Sequence, residues 1–336
     1  MNPLRRTVTT ILALLCTGLL LPAATLAQAQ QQPSQLVFGL ISPRAVEETR
    51  ANWTPFVKRL GSAIARPVEL RVYESQGELV KAFIAGEIDL AWMGNVPALD
   101  VVASGTGGIF AQMVTQDGSV GYRSVLVVPR NSQIGALKSL LEKAPSLRFG
   151  DGDPKSTSGH LVPLYFAFYK SGVSSPTAIF KSVEAGSHQQ NLLKVSKNEV
   201  DAATANNEEL TFFQRDFPDL AKGVKVIWES PLIPQSPLLW KTTLPDALKA
   251  SIRKFVVGFG ASDAAEKRML LAVNGLSRFR LSNNRQLIPI ADLEMFKTRQ
   301  AINNDTTLSS DDRQARIGQA IERGSRLELR LKLIPQ

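Results

Sequence analysis

Ser156, Thr157 and Ser158 stand consecutively in the run Asp151-Gly-Asp-Pro-Lys-Ser-Thr-Ser-Gly159. Leu147-Arg-Phe149 before it is a short apolar run of the kind that ends a strand. Leu161 to Tyr169 after it is rich in Leu, Phe and Tyr and long enough for a helix. Gly150, Gly152 and Pro154 mark a turn between the two, so the three hydroxyls fall where a strand hands over to a helix. The first backbone N–H groups of a helix have no internal acceptor and carry the positive end of its dipole. Hydroxyls placed among them form a neutral nest of donors suited to a tetrahedral or carboxylate anion. Ser and Thr are equally ordinary helix N-caps, and this stretch alone does not separate the two readings. The two histidines of the chain, His160 and His188, are too few for a typical zinc site.

Those hydroxyls need a scaffold, and the chain supplies an α/β one. Leu36 to Ile41 is a continuous apolar run ending at Ser42-Pro43, the pattern of a buried strand. Trp53, Phe56, Val57, Leu60 and Ile64 recur at helical spacing. Val68 to Tyr73 alternates as a strand, Gly77 to Ala85 reads as a helix, and Gly86 to Met93 holds a short buried strand. This order implies parallel pairing with right-handed crossovers. A second cycle follows: a helix over 134–143, a strand at Arg148-Phe149, the Ser-Thr-Ser helix, a strand over 178–183, a helix after His188 and a strand over 200–203. Gly86-Glu-Ile-Asp89 and Asn198-Glu-Val-Asp201 echo one another at matching places.

Two α/β lobes joined by extended segments near 122–128 and 224–240 imply a hinged cleft, with ligands at the carboxyl ends of strands. The expected division is 36–126 with 226–336 as one lobe and 127–225 as the other. A polar, mainly helical extension begins at Asp292. Leu327 to Leu333 alternates with period two, leaving helix and strand both open there.

Composition sets the limits. The 336 residues are 44% apolar and 21% charged, as in globular proteins. Residues 1–29 read as a cleavable signal peptide: Arg5-Arg6, an apolar core over 11–21, and Ala27-Gln-Ala29 at the expected cleavage site. Residues 30–35 read as a flexible leader. The single cysteine, Cys16, leaves with the signal, so neither disulfides nor thiolate chemistry is expected. Loss of the signal takes two of the 39 basic residues and none of the 30 acidic ones, which keeps a mildly basic balance. No block of like charge suggests a nucleic-acid arm, and no later run is long enough to span a membrane. The expectation is a secreted protein with no cofactor, no metal, no nucleic-acid partner and no stable membrane insertion.

Several motifs, in order along nearly the whole mature chain, carry a family resemblance. They are Phe38-Gly-Leu-Ile-Ser42, Trp53-Thr-Pro-Phe56, Ile88-Asp-Leu-Ala-Trp92 with Gly94-Asn95, and Asp117-Gly-Ser119 with Gly121-Tyr122. Gly152-Asp-Pro154 with Ser156-Thr-Ser-Gly159, Val200-Asp201 with Asn206-Asn207, and Ser230-Pro-Leu-Ile-Pro234 complete the set. Together they resemble the periplasmic phosphonate-binding proteins of ABC importers. The resemblance implies a type II periplasmic-binding-protein fold that closes two lobes on a small-molecule phosphonate and passes it to an ABC permease complex in the inner membrane. It places Ser156, Thr157 and Ser158 around the phosphonate oxygens. Tyr122 would donate its phenol to the same group, and His188 would donate an imidazole N–H, adding charge if protonated. His160 has no such counterpart and reads as a surface or packing residue.

The part that reads the substituent on phosphorus departs from the family. Members binding an aminoalkyl phosphonate surround the ammonium with two carboxylates and an aromatic ring. Glu208 matches one carboxylate, Ser236 replaces the other, and Gln76 stands in place of the ring. The expectation is a phosphonate with a different or smaller substituent than 2-aminoethyl, unless Glu209 or Glu74 compensates. Three other readings use the same residues. One is a binding protein for another phosphorus oxyanion or organophosphate. A second is the ligand-bearing subunit of a sensory system. The third is an enzyme with a serine nucleophile, against which stand the missing Gly-x-Ser-x-Gly elbow and the missing third partner for His188.

Overall fold

The computed structural model describes residues 35–333; the expected signal segment, with Cys16 and the cleavage site, lies outside them. In chain order the first strands are β1 (Leu36–Ile41), β2 (Val68–Tyr73), β3 (Leu90–Trp92), β4 (Gly107–Thr115) and β5 (Gly121–Tyr122). Next come β6 (Ser124–Pro129), β7 (Arg148–Gly152), β8 (Ser182–Gly186) and β9 (Ala202–Asn206). The last are β10 (Val224–Glu229), β11 (Ile233–Pro234), β12 (Pro237–Lys241) and β13 (Leu276–Leu281).

Two mixed sheets result. One runs β13-β4-β12-β3-β1-β2 and the other β10-β6-β9-β7-β8. Leaving aside β13, each reads from its edge as second, first and third strand of a parallel βαβαβ unit, followed by an antiparallel pair. The pattern follows from burial. β1, between two parallel neighbours, is apolar almost throughout, whereas the edge strand β2 is only half-buried along its length.

The helix Val46–Ala63 lays Trp53, Phe56, Val57 and Leu60 against the first sheet. Phe38, Trp53, Phe56 and Phe259 interlock there with ring centroids 5.0–6.4 Å apart. Gly39 is needed at this contact, because a Cβ would come within 2.7–2.8 Å of Ile88 and Leu79 side chains. In the second sheet Phe149, Phe168 and Phe180 fill the corresponding place.

The sequence echo is one physical device used twice. Gly86 and Asn198 both take left-handed backbone as a helix ends, and Ile88 and Val200 after them are buried. Asp89 then exchanges backbone hydrogen bonds with the start of β1, its carboxylate accepting from the Val37 N–H at 3.0 Å. Asp201 does the same for β7, accepting from the Arg148 N–H at 2.8 Å. In each lobe's sheet an aspartate thus fixes the register between first and third strands.

Three expectations shift. The strand expected over 178–183 lies at Ser182–Gly186. Pro176 starts a short 3-10 turn, and Phe180 leaves the chain to stack on Phe149 at 4.4 Å, so the most apolar residues plug the core and the strand itself is exposed. The strand expected over 200–203 lies at Ala202–Asn206, because Val200 and Asp201 serve the turn. The helix expected over 134–143 is confined to Leu137–Lys143. At the C-terminus, helices Ile288–Asn304 and Ser310–Leu333 resolve the ambiguous last stretch as helix.

The chain crosses between the sheets from β4 to β6 and returns from β10 to β12. The two crossings pair with one another as a two-stranded ribbon, β5 against β11, with Tyr122 opposite Ile233. Tyr122 and the turn preceding β12 are therefore carried on the connection between the sheets.

Candidate functional site

Residues from the carboxyl ends of both sheets line a cleft of about 310 Å³. Gln76, Tyr122, Ser156, Thr157, Ser158, His188, Glu208 and Ser236 all border it. Sequence positions as distant as 76 and 236 are brought together here.

The Ser-Thr-Ser turn follows β7 and opens a helix wound more widely than an α-helix. The N–H groups of His160 and Leu161 both reach the Ser156 carbonyl, at 3.2 and 3.1 Å. Such π-turns recur at functional sites. The turn lies flat on the strand end because Gly152 meets Gly159; a Cβ on Gly152 would sit 2.5 Å from the Gly159 carbonyl carbon. Ser156 is the N-cap, its hydroxyl accepting from the Gly159 N–H at 2.9 Å. The plain capping role therefore holds for Ser156. Thr157 and Ser158 are buried, and their N–H groups open the turn, where no acceptor exists within it.

Each of these hydroxyls is held by a further partner. Thr157 Oγ1 accepts from the backbone N–H of Val96 at 2.9 Å. Val96 sits in the first turn of the helix Asn95–Ser104, which follows β3 of the other sheet. Ser158 Oγ lies 3.1 Å from His188 Nε2, and the Ser158 carbonyl accepts from the Ser124 hydroxyl at 2.6 Å. The Tyr122 phenol lies among the side chains of Ser158, Ser236 and Asn95, and burial pushes its pKa up, so it stays a protonated donor.

His188 is the first residue of the helix His188–Ser196, whose N-cap Ser187 forms a capping box with Gln190. Burial lowers the His188 pKa to about 4. With the cleft empty, the ring is therefore neutral at neutral pH. Its Nδ1 is closed to solvent and has no hydrogen-bond partner among the described residues. His160 pairs through Nδ1 with the Asp151 carboxylate at 2.9 Å, a packing contact at the end of β7.

The other side of the cleft is acidic and amide-rich. Glu208, early in the helix Asn207–Asp216, accepts from the Gln235 amide at 2.5 Å. Burial raises its pKa to about 7, the Gln235 bond opposing and the neighbouring Glu209 adding to the rise. Gln235 is itself buried, and its carbonyl accepts from Gln286 at 3.0 Å. Glu209, one of the acids that could have compensated for Ser236, is committed elsewhere: it lies 3.3 Å from Arg44 Nε. Glu74 borders the cleft at its exposed rim.

The arrangement can hold a small anion with neutral donors, namely hydroxyls, a phenol, an imidazole and the first amides of a helix. A sequence model described as the periplasmic substrate-binding protein of phosphonate ABC transporters matches residues 38–287. This chain belongs to that family. The phosphonates-binding periplasmic protein of Escherichia coli K12 is 36% identical over 290 residues, which are 86% of this chain and 85% of that one. A binding protein component of a phosphonate ABC transporter from Pseudomonas aeruginosa is 36% identical. It superposes with a TM-score of 0.81 over 89% of this chain and 98% of its own. PhnD1 of Prochlorococcus marinus, solved in complex with methylphosphonate, shares the fold at 21% identity, with a TM-score of 0.71 over 78% of this chain and 98% of its own. The fold is the type II periplasmic-binding-protein fold.

For a phosphonate-binding family member, sequence reasoning missed one prominent group. Arg44, just past the end of β1, is buried and is held by Glu48 at 3.1 Å, by Glu209, and by the Phe212 ring 4.0 Å from its guanidinium carbon. Among the described residues bordering the cleft, this guanidinium is held by Glu48, Glu209 and the Asn274 amide oxygen and is no free counter-charge for an anion. A lone Arg after Ser42-Pro43 gives no signal of this, because Glu209 and Phe212 lie more than 160 residues away.

Proposed function

We propose that the cleft captures a phosphonate and that the protein delivers it to an ABC permease in the inner membrane, without chemical change to the ligand. The anion is held by the Thr157 and Ser158 hydroxyls and amides, with Ser156 at the rim, and by Tyr122 and His188 from the facing walls. Gln76, Glu208 and Ser236 face the substituent. The observation that carries this reading is the convergence of the helix-opening amides and hydroxyls with Tyr122 and His188 on one cleft. Neutral donors suit the task. They replace the hydration of the anion on closure while the buried site stays free of a permanent charge when empty.

Two lobes, each built on one sheet, turn about the β5–β11 ribbon, and a ligand bound between them favours the closed state by its contacts to both. His188 and Ser158 would supply base and nucleophile for an enzyme, but among the described residues no acid orients the histidine, whose Nδ1 is unpartnered there. The N-terminal segment is read as the signal that exports the chain to the periplasm. Calorimetric titration with methyl-, ethyl- and 2-aminoethylphosphonate beside inorganic phosphate and methanesulfonate tests the reading. A phosphonate should bind tightest. A preference for phosphate would move the protein to phosphorus oxyanions generally, and no phosphonate binding would remove the proposal.

A further inference from the structure

The helical run 157–171, which opens at the Ser-Thr-Ser turn, follows β7 of the second sheet, yet one side of it meets the first lobe. Thr157 reaches Val96, Leu161 is 1% exposed within the apolar core of the first sheet, and Tyr165 and Tyr169 both meet Phe296. These four residues stand four apart, the spacing that lines side chains along one face of a helix. Ala167 and Phe168 enter the core of the second sheet instead.

Phe296 comes from the other lobe. It lies in the helix Ile288–Asn304, which follows β13 and buries Ile290 in the core of the first sheet. Its ring meets Tyr165 and Tyr169 edge-on, with centroids 4.8 and 4.4 Å away and interplanar angles of 81° and 78°. Aromatic rings attract in this arrangement. All three rings are only half-buried, and a crevice of about 270 Å³ runs beside them between the two helices. They form the outer, loosely packed end of the seam between the lobes. The Lys155–Asp100 pair crosses the same seam at 2.8 Å, but both side chains are partly exposed and the pair should weigh little.

Phe296 does not border the ligand cleft. It joins the lobes in the same state in which Thr157 reaches Val96. A contact made when the lobes meet and lost when they part shifts the balance between the two forms. The apparent affinity of every ligand then scales with the population of the binding-competent form.

We propose that Phe296, gripped by Tyr165 and Tyr169, is a closure latch that scales the affinity of every ligand of the cleft without selecting among them. This rests on the reading given above of two lobes closing on an anion, and it adds a positioning residue that sets their equilibrium.

The test is calorimetric titration of the wild type and Phe296→Ala with methylphosphonate, ethylphosphonate, 2-aminoethylphosphonate and inorganic phosphate, with ligand release followed by stopped flow. Every ligand that binds the wild type should lose affinity by one common factor, roughly fivefold or more. The stoichiometry and the ranking should stay unchanged, and release should be faster. Tyr165→Leu with Tyr169→Leu removes the partner rings from the other lobe and should give the same common loss. Adding Phe296→Ala to that pair should cost little more, because both changes remove one contact. If Phe296→Ala does not fold, the tyrosine pair alone decides. Unchanged or tighter binding, a loss that differs between ligands, or a triple variant whose loss is the product of the two would overturn the latch and leave anion capture standing. A wild type that binds none of the four removes the reading of the cleft and the latch with it.

Discussion

The Thr157 hydroxyl and the Val96 backbone N–H meet at 2.9 Å, joining the turn after β7 to the helix after β3. The oxygen is engaged as an acceptor, and its own hydrogen remains to donate. One side chain thereby ties the two sheets together and contributes to the nest at the helix start. Thr157→Val should therefore lose in two measurements. Ligand affinity should fall roughly tenfold or more, and the melting temperature without ligand should fall because the Val96 N–H loses a buried acceptor, at a cost of about 1–3 kcal/mol. Thr157→Ser should recover most of both. Wild-type melting in Thr157→Val would show that the contact contributes nothing.

Arg44 and Glu209 form a second tie between the sheets, with side chains 3% and 7% exposed. Burial pushes the Glu209 carboxyl up while Arg44 opposes the rise. Removing the cation alone leaves a buried acid without compensation, so Arg44→Met should destabilise by about 3–5 kcal/mol in urea unfolding. The double variant Arg44→Met with Glu209→Leu should recover most of that loss. A double variant as unstable as the single one would contradict the account, since it would assign the loss to packing on Phe212.

Glu208 and His188 give opposing pH dependences. The folded state holds the Glu208 proton more tightly than the unfolded chain, so stability falls as pH rises from the ordinary glutamate value of 4.5 to about 7. His188 is the reverse. The unfolded chain takes up its proton first, so stability rises with pH from about 4 to the ordinary histidine value of 6.5. In the wild type the two slopes oppose between 4.5 and 6.5. Glu208→Gln should melt at temperatures that climb more steeply with pH across that window, and His188→Gln should show a decline. Melting curves from pH 4.5 to 7.5 check both, and unchanged profiles in the two variants would exclude these groups as the source.

Asp201 fixes the register of β7 through the Arg148 N–H and also bonds the Arg148 guanidinium at 3.0 Å. Asp201→Asn keeps an acceptor for the amide but loses the charge, and Asp201→Ala loses both. Because the guanidinium is partly exposed, the ion pair itself should add little. Alanine should cost about 1–2 kcal/mol and asparagine distinctly less in the same unfolding measurement. Equal losses would move the weight from the backbone cap to the ion pair.

Much of this was legible in the chain because it depends on local pattern. The apolar runs at 36–41 and 88–93, the helical spacing from Trp53 to Leu60, and the repeated Glu-aliphatic-Asp all report where a segment is buried. The three hydroxyls report a strand-to-helix turn. What was not legible depends on partners far away in sequence. Ile179 and Phe180 look like strand residues until Phe149 is there to receive Phe180. Gln235 looks like an inert amide until the β5–β11 ribbon sets it against Glu208. His188 reads as a chargeable group because a titratable ring is what the sequence displays, whereas its burial, which lowers its pKa, is a property of the fold.

On the proposed function, one cleft grips a phosphonate with neutral donors from Ser158, Tyr122 and His188. Titrating a phosphonate bound by the wild type into Ser158→Ala, Tyr122→Phe and His188→Ala measures it directly. Each substitution should weaken binding roughly tenfold or more while the melting transition of the unliganded protein stays cooperative. Wild-type affinity in all three would contradict the grip described here.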